Sequence, residues 1–170
     1  MLVCRVLGPT EVEADGALVE LGGPLPRRLF TGLIAGAGRP VADGRLVDVL
    51  WGSDAPADAS AALRVYVSRL RQALGERHRD LLGRAGSGYV LRLAPDGTDA
   101  ARFIQAVERG RLLLAEGNAV SAVRVLGDAL GLWRGEAFAD MPDAELTEGL
   151  RARLAEFRGL AVEERAAARN

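Results

Sequence analysis

The stretch LRVYVSRLRQALG, residues 63–75, combines an apolar helical face with three arginines. At 100° per residue, Val67, Leu70 and Leu74 all lie within about 40° of Leu63, so the four share one face of a helix. The stretch therefore predicts a helix that docks on other elements through this face and leaves a cationic, hydrogen-bonding face in solvent. On the outer face we place Arg64, Val65, Ser68, Arg69, Arg71 and Gln72.

These arginines belong to a local concentration of positive charge in a chain that is almost neutral. The formal net charge of the 170 residues is −1, and every basic side chain apart from the single His is Arg. Residues 64–92 hold seven Arg against Glu76 and Asp80, a net charge of +5. An exposed Arg-rich face is usually only solvated surface. A basic stripe on a third helix followed by a hairpin is nevertheless a candidate for nucleic-acid binding.

The first half of the chain predicts strands, then three helices, then a hairpin. Residues 2–7 and the pair 11–14 and 18–21 read as strands, the pair joined by a two-residue turn at Asp15-Gly16. Pro26 suits the first turn of the first helix. We expect Asp43 to cap the second helix and Asp58 to cap the third. Two short strands around Gly86-Ser87-Gly88 complete the order of a winged helix, which is a helix-turn-helix followed by a β-ribbon.

The residue pattern changes at APDGTD, where long helical patterns replace short apolar runs. We therefore place a domain boundary at Ala94–Thr98. Residues 99–134 predict two helices with a break at Gly117-Asn118. A loop, GEAFADMPDAE, then leads to a third helix after Pro142, and Trp133 is expected to cover the local core. The predicted packing residues are Gly110, Ala122, Leu126 and Ala129, at the spacing of a tetratricopeptide repeat, and Leu146, Leu150, Leu154 and Phe157 on the third helix.

A helix pair and one further helix are fewer than the roughly three repeats that close such a core. Either the chain is a piece of a longer protein, or its apolar helical surface packs on the winged helix or on a second copy. We expect the former.

The residue inventory argues against catalysis and against a bound cofactor or metal. His78 is the only His and lies in the polar segment GERHRD, so we expect it to be exposed to solvent. Cys4 lies in an apolar run and is expected to be a buried strand thiol. No Cys/His spacing suits a metal, and GRAGSGY opens a strand rather than a helix, unlike a phosphate loop. With no run of about 18 apolar residues, we expect a cytoplasmic protein.

Several segments of the sequence resemble a known family. The segments VLWG, YVSRLRQALG and GSGYVLRL resemble the OmpR-type winged helix of the Streptomyces antibiotic regulatory protein (SARP) family. The segments DAARFIQAVERGRLLLAEG, ALGLWRG and LAEFRGLAVEERA resemble its bacterial transcriptional activator domain. The resemblance implies an α+β winged helix at residues 1–94 and an all-α, tetratricopeptide-like domain at 95–170. It also implies an activator of antibiotic gene clusters that binds direct repeats and engages RNA polymerase.

Carried over by position, the resemblance implies that the third helix is the recognition helix, and it assigns roles to several side chains. The base or near-phosphate contacts would be Arg64, Ser68, Arg69 and Gln72, with Arg71 on a phosphate and Arg84 on the wing. The polymerase-contact loop would be GSDAPADAS, with Ser53, Asp54 and Asp58. Relatives show Arg directly before the wing turn, whereas this chain has Ala85 there and Arg84 one place earlier. Since neighbouring strand positions point oppositely, a shifted hairpin would be needed for Arg84 to reach the minor groove.

Other functions stay open on the sequence alone. The chain could be a helical-repeat interaction module whose first half is only structural, or a repressor on the same scaffold. No receiver domain is recognisable, so we predict no phospho-aspartate switch. Direct-repeat binding implies self-association on DNA, with two copies bound side by side.

Overall fold

The computed structural model describes residues 1–142 and 145–170. The predicted loop GEAFADMPDAE therefore falls partly on residues 143 and 144, which lie outside the described residues.

An antiparallel sheet begins the chain, in the order β1 (Leu2–Arg5), β2 (Glu11–Ala14) and β3 (Ala17–Leu18). Asp15 and Gly16 join β2 to β3 with φ of 51° and 88°, the positive values that the predicted two-residue turn needs. Strands β1 and β3 are shorter than predicted. Val6 and Leu7 leave the sheet because their N–H groups bond Asp99, and Leu21 turns away into the core.

Three helices and a second sheet follow, as expected for a winged helix. The elements are α1 (Pro24–Ala35), β4 (Val41–Ala42), α2 (Asp43–Trp51), α3 (Ala59–Leu74), β5 (Leu82–Ala85) and β6 (Gly88–Leu91). A short 3₁₀ turn, Arg79–Leu81, separates α3 from β5. The second sheet has the order β4-β6-β5. The hairpin of β5 and β6, here called the wing, therefore also pairs through β6 with the two-residue strand β4, which was not predicted.

The two predicted helix caps have different outcomes. Asp58 caps α3 as predicted, since its Oδ1 accepts a hydrogen bond from the N–H of Ala61 at 3.1 Å. The prediction that Asp43 caps α2 is wrong. Strand β4 stays extended through Ala42, which takes the N-cap position without a side-chain bond. Asp43 thereby becomes the first helical residue, and its carboxylate is free to accept a hydrogen bond from Arg84.

The predicted core face of α3 is confirmed. Leu63, Val67, Leu70 and Leu74 are all buried, and they belong to one apolar core with Phe30 of α1 and the buried side of α2. Full burial of a side chain of this size contributes roughly 1.5–3 kcal/mol. The face that α3 turns to solvent is therefore set by its own hydrophobic period.

Three helices form the second half: α4 (Asp99–Ala115), α5 (Ala119–Leu130) and α6 (Glu145–Arg169). The predicted packing residues Gly110, Ala122, Leu126 and Ala129 are all buried. A Cβ on Gly110 would lie only 2.6 Å from Cδ2 of Leu126, so Gly is needed for the close approach of α4 and α5. Trp133 packs edge-on against Phe103 at 5.4 Å between ring centroids, covering this core as expected.

Replacing Gly110 by alanine should lower the free energy of unfolding by about 1–2 kcal/mol. The clash with Leu126 costs roughly 1–3 kcal/mol and outweighs the gain of up to about 1 kcal/mol in helix propensity. Urea unfolding followed by circular dichroism measures the change. The matched control is Gly159→Ala on α6, where a Cβ meets nothing within 4 Å, so this variant should be slightly stabilised. Equal stability of the two variants would contradict the tight α4–α5 contact.

Hydrogen bonds from the segment after β1 connect the first sheet to the second half. The carboxylate of Asp99, at the start of α4, accepts from the N–H groups of Val6 at 2.7 Å and Leu7 at 3.1 Å. The carbonyls of Val6 and Leu7 accept from the N–H groups of Phe138 and Arg134, both at 2.7 Å. Asp99 is 1% exposed. Burial raises its pKa, while the backbone N–H donors act in the opposite direction.

Two further predictions concern single side chains. Cys4 is fully buried as predicted, and burial raises the pKa of its thiol to about 12, so the reactive thiolate is disfavoured. The prediction of an exposed His78 is wrong. Its side chain is 12% exposed, and its Nε2 lies 3.0 Å from Oδ2 of Asp15 in the first hairpin turn. The pKa of Asp15 is lowered to about 2 by hydrogen bonds from the N-terminal ammonium group and from His78.

Candidate nucleic-acid interface

The outer face of α3 is open to solvent along its length. Arg64, Ser68, Arg69 and Gln72 are exposed, and Val65 between them is 49% exposed. The Asp58 cap at one end and the buried apolar face on the other side hold the helix in place. The structure thus brings four of the predicted contact residues onto one rigid surface.

The two central arginines of this face keep their charge uncompensated. Within residues 1–142 and 145–170, neither Arg64 nor Arg69 forms a salt bridge. The guanidinium of Arg69 lies 5.8 Å from the ring centroid of Tyr66, and that ring lies 6.0 Å from the ring of Trp51 on α2. This stacking orients Arg69 without neutralising it, so the face can attract an anionic ligand.

Arg71 is placed differently from its neighbours. It is half-buried, and its Nε–H donates a hydrogen bond of 2.8 Å to the carbonyl of Leu82 at the start of β5. This bond fixes the wing hairpin to α3. Because one donor is already used within the fold, Arg71 is partly a structural residue, and only its remaining N–H groups are available to a ligand.

Arg84 on β5 lies beside α3 rather than at the tip of the hairpin. Its Nη1 donates to Oδ1 of Asp43 at 2.7 Å, and its guanidinium lies 4.7 Å from the ring centroid of Tyr89. The hydrogen bond with Asp43 raises the pKa of Arg84. The side chain is still 46% exposed. Arg84 stands one residue before the position at which relatives have the wing arginine, and here it lies in a recess between α3 and the wing.

This recess between α2, α3 and the wing, here called the Arg recess, concentrates positive charge. Three guanidinium groups face one carboxylate there. The residues that line it are Asp43, Ser60, Arg64, Arg71, Arg84 and Tyr89. The sequence carries no signal that places Asp43, Ser60 and Tyr89 at this site, since only the packing of α2 against the wing brings them together. With a net excess of cations and the hydroxyl of Ser60, the Arg recess suits a phosphate oxygen.

The predicted polymerase-contact loop lies between α2 and α3. Ser53 and Asp54 are exposed, and the N–H of Asp54 bonds the carbonyl of Trp51 at 3.0 Å. Asp58 is also exposed, but its carboxylate accepts the capping bond from Ala61. Of the two acidic side chains, Asp54 is the one whose carboxylate is not engaged in capping α3.

None of the helices in the described part of the chain has the length and apolar character required to cross a membrane.

Two family profiles match the chain, one over each half. Residues 22–91 match "Transcriptional regulatory protein, C terminal", and residues 98–170 match "Bacterial transcriptional activator domain". The first match covers α1 to β6 and therefore includes the exposed face of α3. The matched families are transcriptional regulators, not enzymes.

Similar proteins support the same grouping. Regulatory protein AfsR of Streptomyces griseus is 35% identical over 90% of this chain and 15% of its own length. Regulatory protein DnrI of Streptomyces peucetius is 34% identical over 81% of this chain and 53% of its own. Transcriptional regulator RedD of Streptomyces coelicolor is 32% identical over 94% of this chain and 47% of its own. The chain thus spans about half or less of each relative.

A solved structure has the same fold over nearly the whole chain. EmbR of Mycobacterium tuberculosis, determined in complex with a low-affinity phosphopeptide, superposes with a TM-score of 0.88 at 33% identity. The match covers 98% of this chain and 45% of EmbR. The winged helix and the helical half therefore occur together, in the same arrangement, in a second protein.

Proposed function

Because the chain belongs to the Streptomyces antibiotic regulatory protein family, we propose that it is a sequence-specific DNA-binding activator of an antibiotic biosynthetic gene cluster. The observation that carries the proposal is the exposed face of α3, on which Arg64 and Arg69 are free of salt bridges within the described residues. A fixed helix with such a face fits the major groove of duplex DNA. The unit proposed to bind DNA is residues 1–94.

Each side chain of the interface has a proposed role. Arg64 and Arg69 contact guanine edges or nearby phosphates, because a guanidinium can donate two hydrogen bonds to one guanine. Ser68 and Gln72 contact other base edges, and Val65 fits a thymine methyl group. Arg84, with the remaining donors of Arg71, holds a phosphate at the Arg recess. The carboxylate of Asp43 repels the phosphate there, and the proposed role of Asp43 is to orient Arg84 through their hydrogen bond.

The activating half of the function is proposed from the family. Residues 95–170 would form the activator domain, and the loop with Ser53, Asp54 and Asp58 would contact RNA polymerase holoenzyme. The open carboxylate of Asp54 supports a polar contact at that loop. Two copies would bind a direct repeat side by side in the cytoplasm.

A footprint on the regions upstream of the adjacent genes, repeated across a salt series, tests the DNA-binding proposal. We expect protection of a direct repeat. With Arg64 and Arg69 on phosphates and one phosphate in the Arg recess, the slope of log K against log salt would be roughly −2 to −3 for each bound copy, because bound counterions are released. No protected site, or affinity independent of salt, would instead favour the helical-repeat interaction module.

Transcription in vitro with purified RNA polymerase separates activation from repression. An activator raises the transcript level from a promoter that carries the protected repeat. A fall in transcript at the same occupancy would assign the repressor function to the same scaffold.

A further inference from the structure

A cleft of about 290 Å³ lies where the winged helix meets the helical half. Residues after α1, the end of β6 and the linker to α4 form one side of it, and α4 and α6 form the other. Its volume is just below the range for small-molecule sites, roughly 300–1,000 Å³. Such sites occur preferentially at junctions of this kind. The cleft lies apart from the Arg recess, and none of the proposed DNA contacts lines it.

The floor and the rim of the cleft differ in chemistry. The floor is apolar and buried, with Val6, Ile34, Leu91, Phe138 and Leu154. Among the described residues that line the exposed rim, Arg153 of α6 is the one with a charged side chain.

Arg153 has donors to spare. Its guanidinium lies 5.6 Å from the ring centroid of Phe157, and within the described residues it has no salt bridge. A stacked guanidinium still offers its N–H edge to a planar anion.

The backbone around the cleft is held in an unusual conformation. Three residues other than Gly have positive φ in the described part of the chain, and two of them line the cleft: Ala37 at 52° and Phe138 at 54°. Residues with a Cβ adopt this region at a cost, and such positions cluster at ligand sites. The N–H of Phe138 donates a hydrogen bond of 2.7 Å to the carbonyl of Val6, and this bond holds Phe138 in that conformation.

We propose that this cleft binds a small organic carboxylate with an apolar tail. The tail lies over the floor and against the half-buried lining side chains Leu93, Ala101 and Ile104, where it replaces water on apolar surface. The carboxylate lies at the rim and accepts two hydrogen bonds from Arg153. Because the ligand touches both halves of the molecule, its binding stabilises their contact. The proposal does not depend on DNA binding.

Titration calorimetry with sodium octanoate, kept below its micelle-forming concentration, tests the site on the whole chain without DNA. We expect saturable binding at one site. Arg153→Gln should weaken octanoate binding about tenfold and leave the binding of 1-octanol unchanged. Ala101→Leu, which fills the cleft from α4, should abolish binding of both compounds. Arg158→Gln is the matched control, since Arg158 lies on the same helix over the ring of Trp133.

Several results would overturn the proposal. One is the absence of saturable octanoate heat with the wild-type chain. Another is binding that Arg153→Gln and Ala101→Leu leave unchanged, since it would lie elsewhere. Equal affinity for octanoate and 1-octanol would refute the carboxylate contact. If Ala101→Leu fails to fold, as judged by its melting temperature, the exposed Arg153→Gln variant still decides the question.

Discussion

Replacing Arg64 and Arg69 together by alanine is expected to weaken binding to promoter DNA about a hundredfold or more. Each side chain that contacts a base edge contributes roughly 1–3 kcal/mol, and tenfold in affinity corresponds to about 1.4 kcal/mol. Folding should be unaffected, because both side chains are exposed and neither forms a salt bridge within the described residues. Fluorescence anisotropy on the footprinted repeat measures the affinity, and thermal unfolding checks the fold.

A matched control removes the same charge elsewhere. Arg109 and Arg124 are exposed on α4 and α5. Their double alanine variant should change the affinity for DNA less than about threefold, because it alters only a distant, screened part of the electrostatic potential at the DNA. An equal loss from both double variants would mean that net charge, rather than the face of α3, governs binding. Full affinity in Arg64→Ala/Arg69→Ala would refute the assignment of α3 as the recognition helix.

Arg71 is a poor residue with which to begin such a test. Its bond to the carbonyl of Leu82 holds β5 against α3, so Arg71→Ala would change the position of the wing as well as the charge. A loss of DNA binding in that variant would have two explanations.

Asp99→Ala is expected to lower the free energy of unfolding by about 2–4 kcal/mol. The substitution leaves the N–H groups of Val6 and Leu7 buried without an acceptor, and each unsatisfied group costs roughly 1–3 kcal/mol. Removing a buried carboxylate offsets part of this cost, because burial already disfavours the charge. Urea unfolding at neutral pH measures the difference.

The neighbouring linker residue supplies the control for this prediction. Asp96 is exposed, so Asp96→Ala should change stability by less than about 0.5 kcal/mol. Asp99→Asn retains one acceptor oxygen and should fall between Asp99→Ala and the wild type. If Asp99→Ala were as stable as Asp96→Ala, the connection between the first sheet and α4 would not depend on this carboxylate.

The local sequence pattern was sufficient to predict features that depend on a single helix or turn. The burial of Leu63, Val67, Leu70 and Leu74 follows from helical periodicity alone. The Asp58 cap and the Asp15-Gly16 turn follow from local backbone chemistry in the same way. The cap predicted at Asp43 failed because the short strand β4 moved the start of α2 by one residue, and no local signal marked β4.

Pairs that are distant in the chain were beyond the reach of such reasoning. His78 lies 63 residues from Asp15, and Arg84 lies 41 residues from Asp43. The cleft likewise needs residues of α1, β6, α4 and α6 at one place. Single-sequence patterns report on neighbours along the chain, whereas these contacts depend on how finished elements pack.

The sequence by itself determined which side of α3 is buried. Burial of leucine and valine is favourable, and these residues recur along the sequence with the 3.6-residue period of a helix, so they lie on one face. Only the tertiary structure decided how the arginines are used. It left Arg64 and Arg69 open, turned Arg71 to the backbone of β5 and paired Arg84 with Asp43. The physical reason is that a guanidinium takes the acceptor that packing brings within about 3 Å, and its position in the chain does not specify that acceptor.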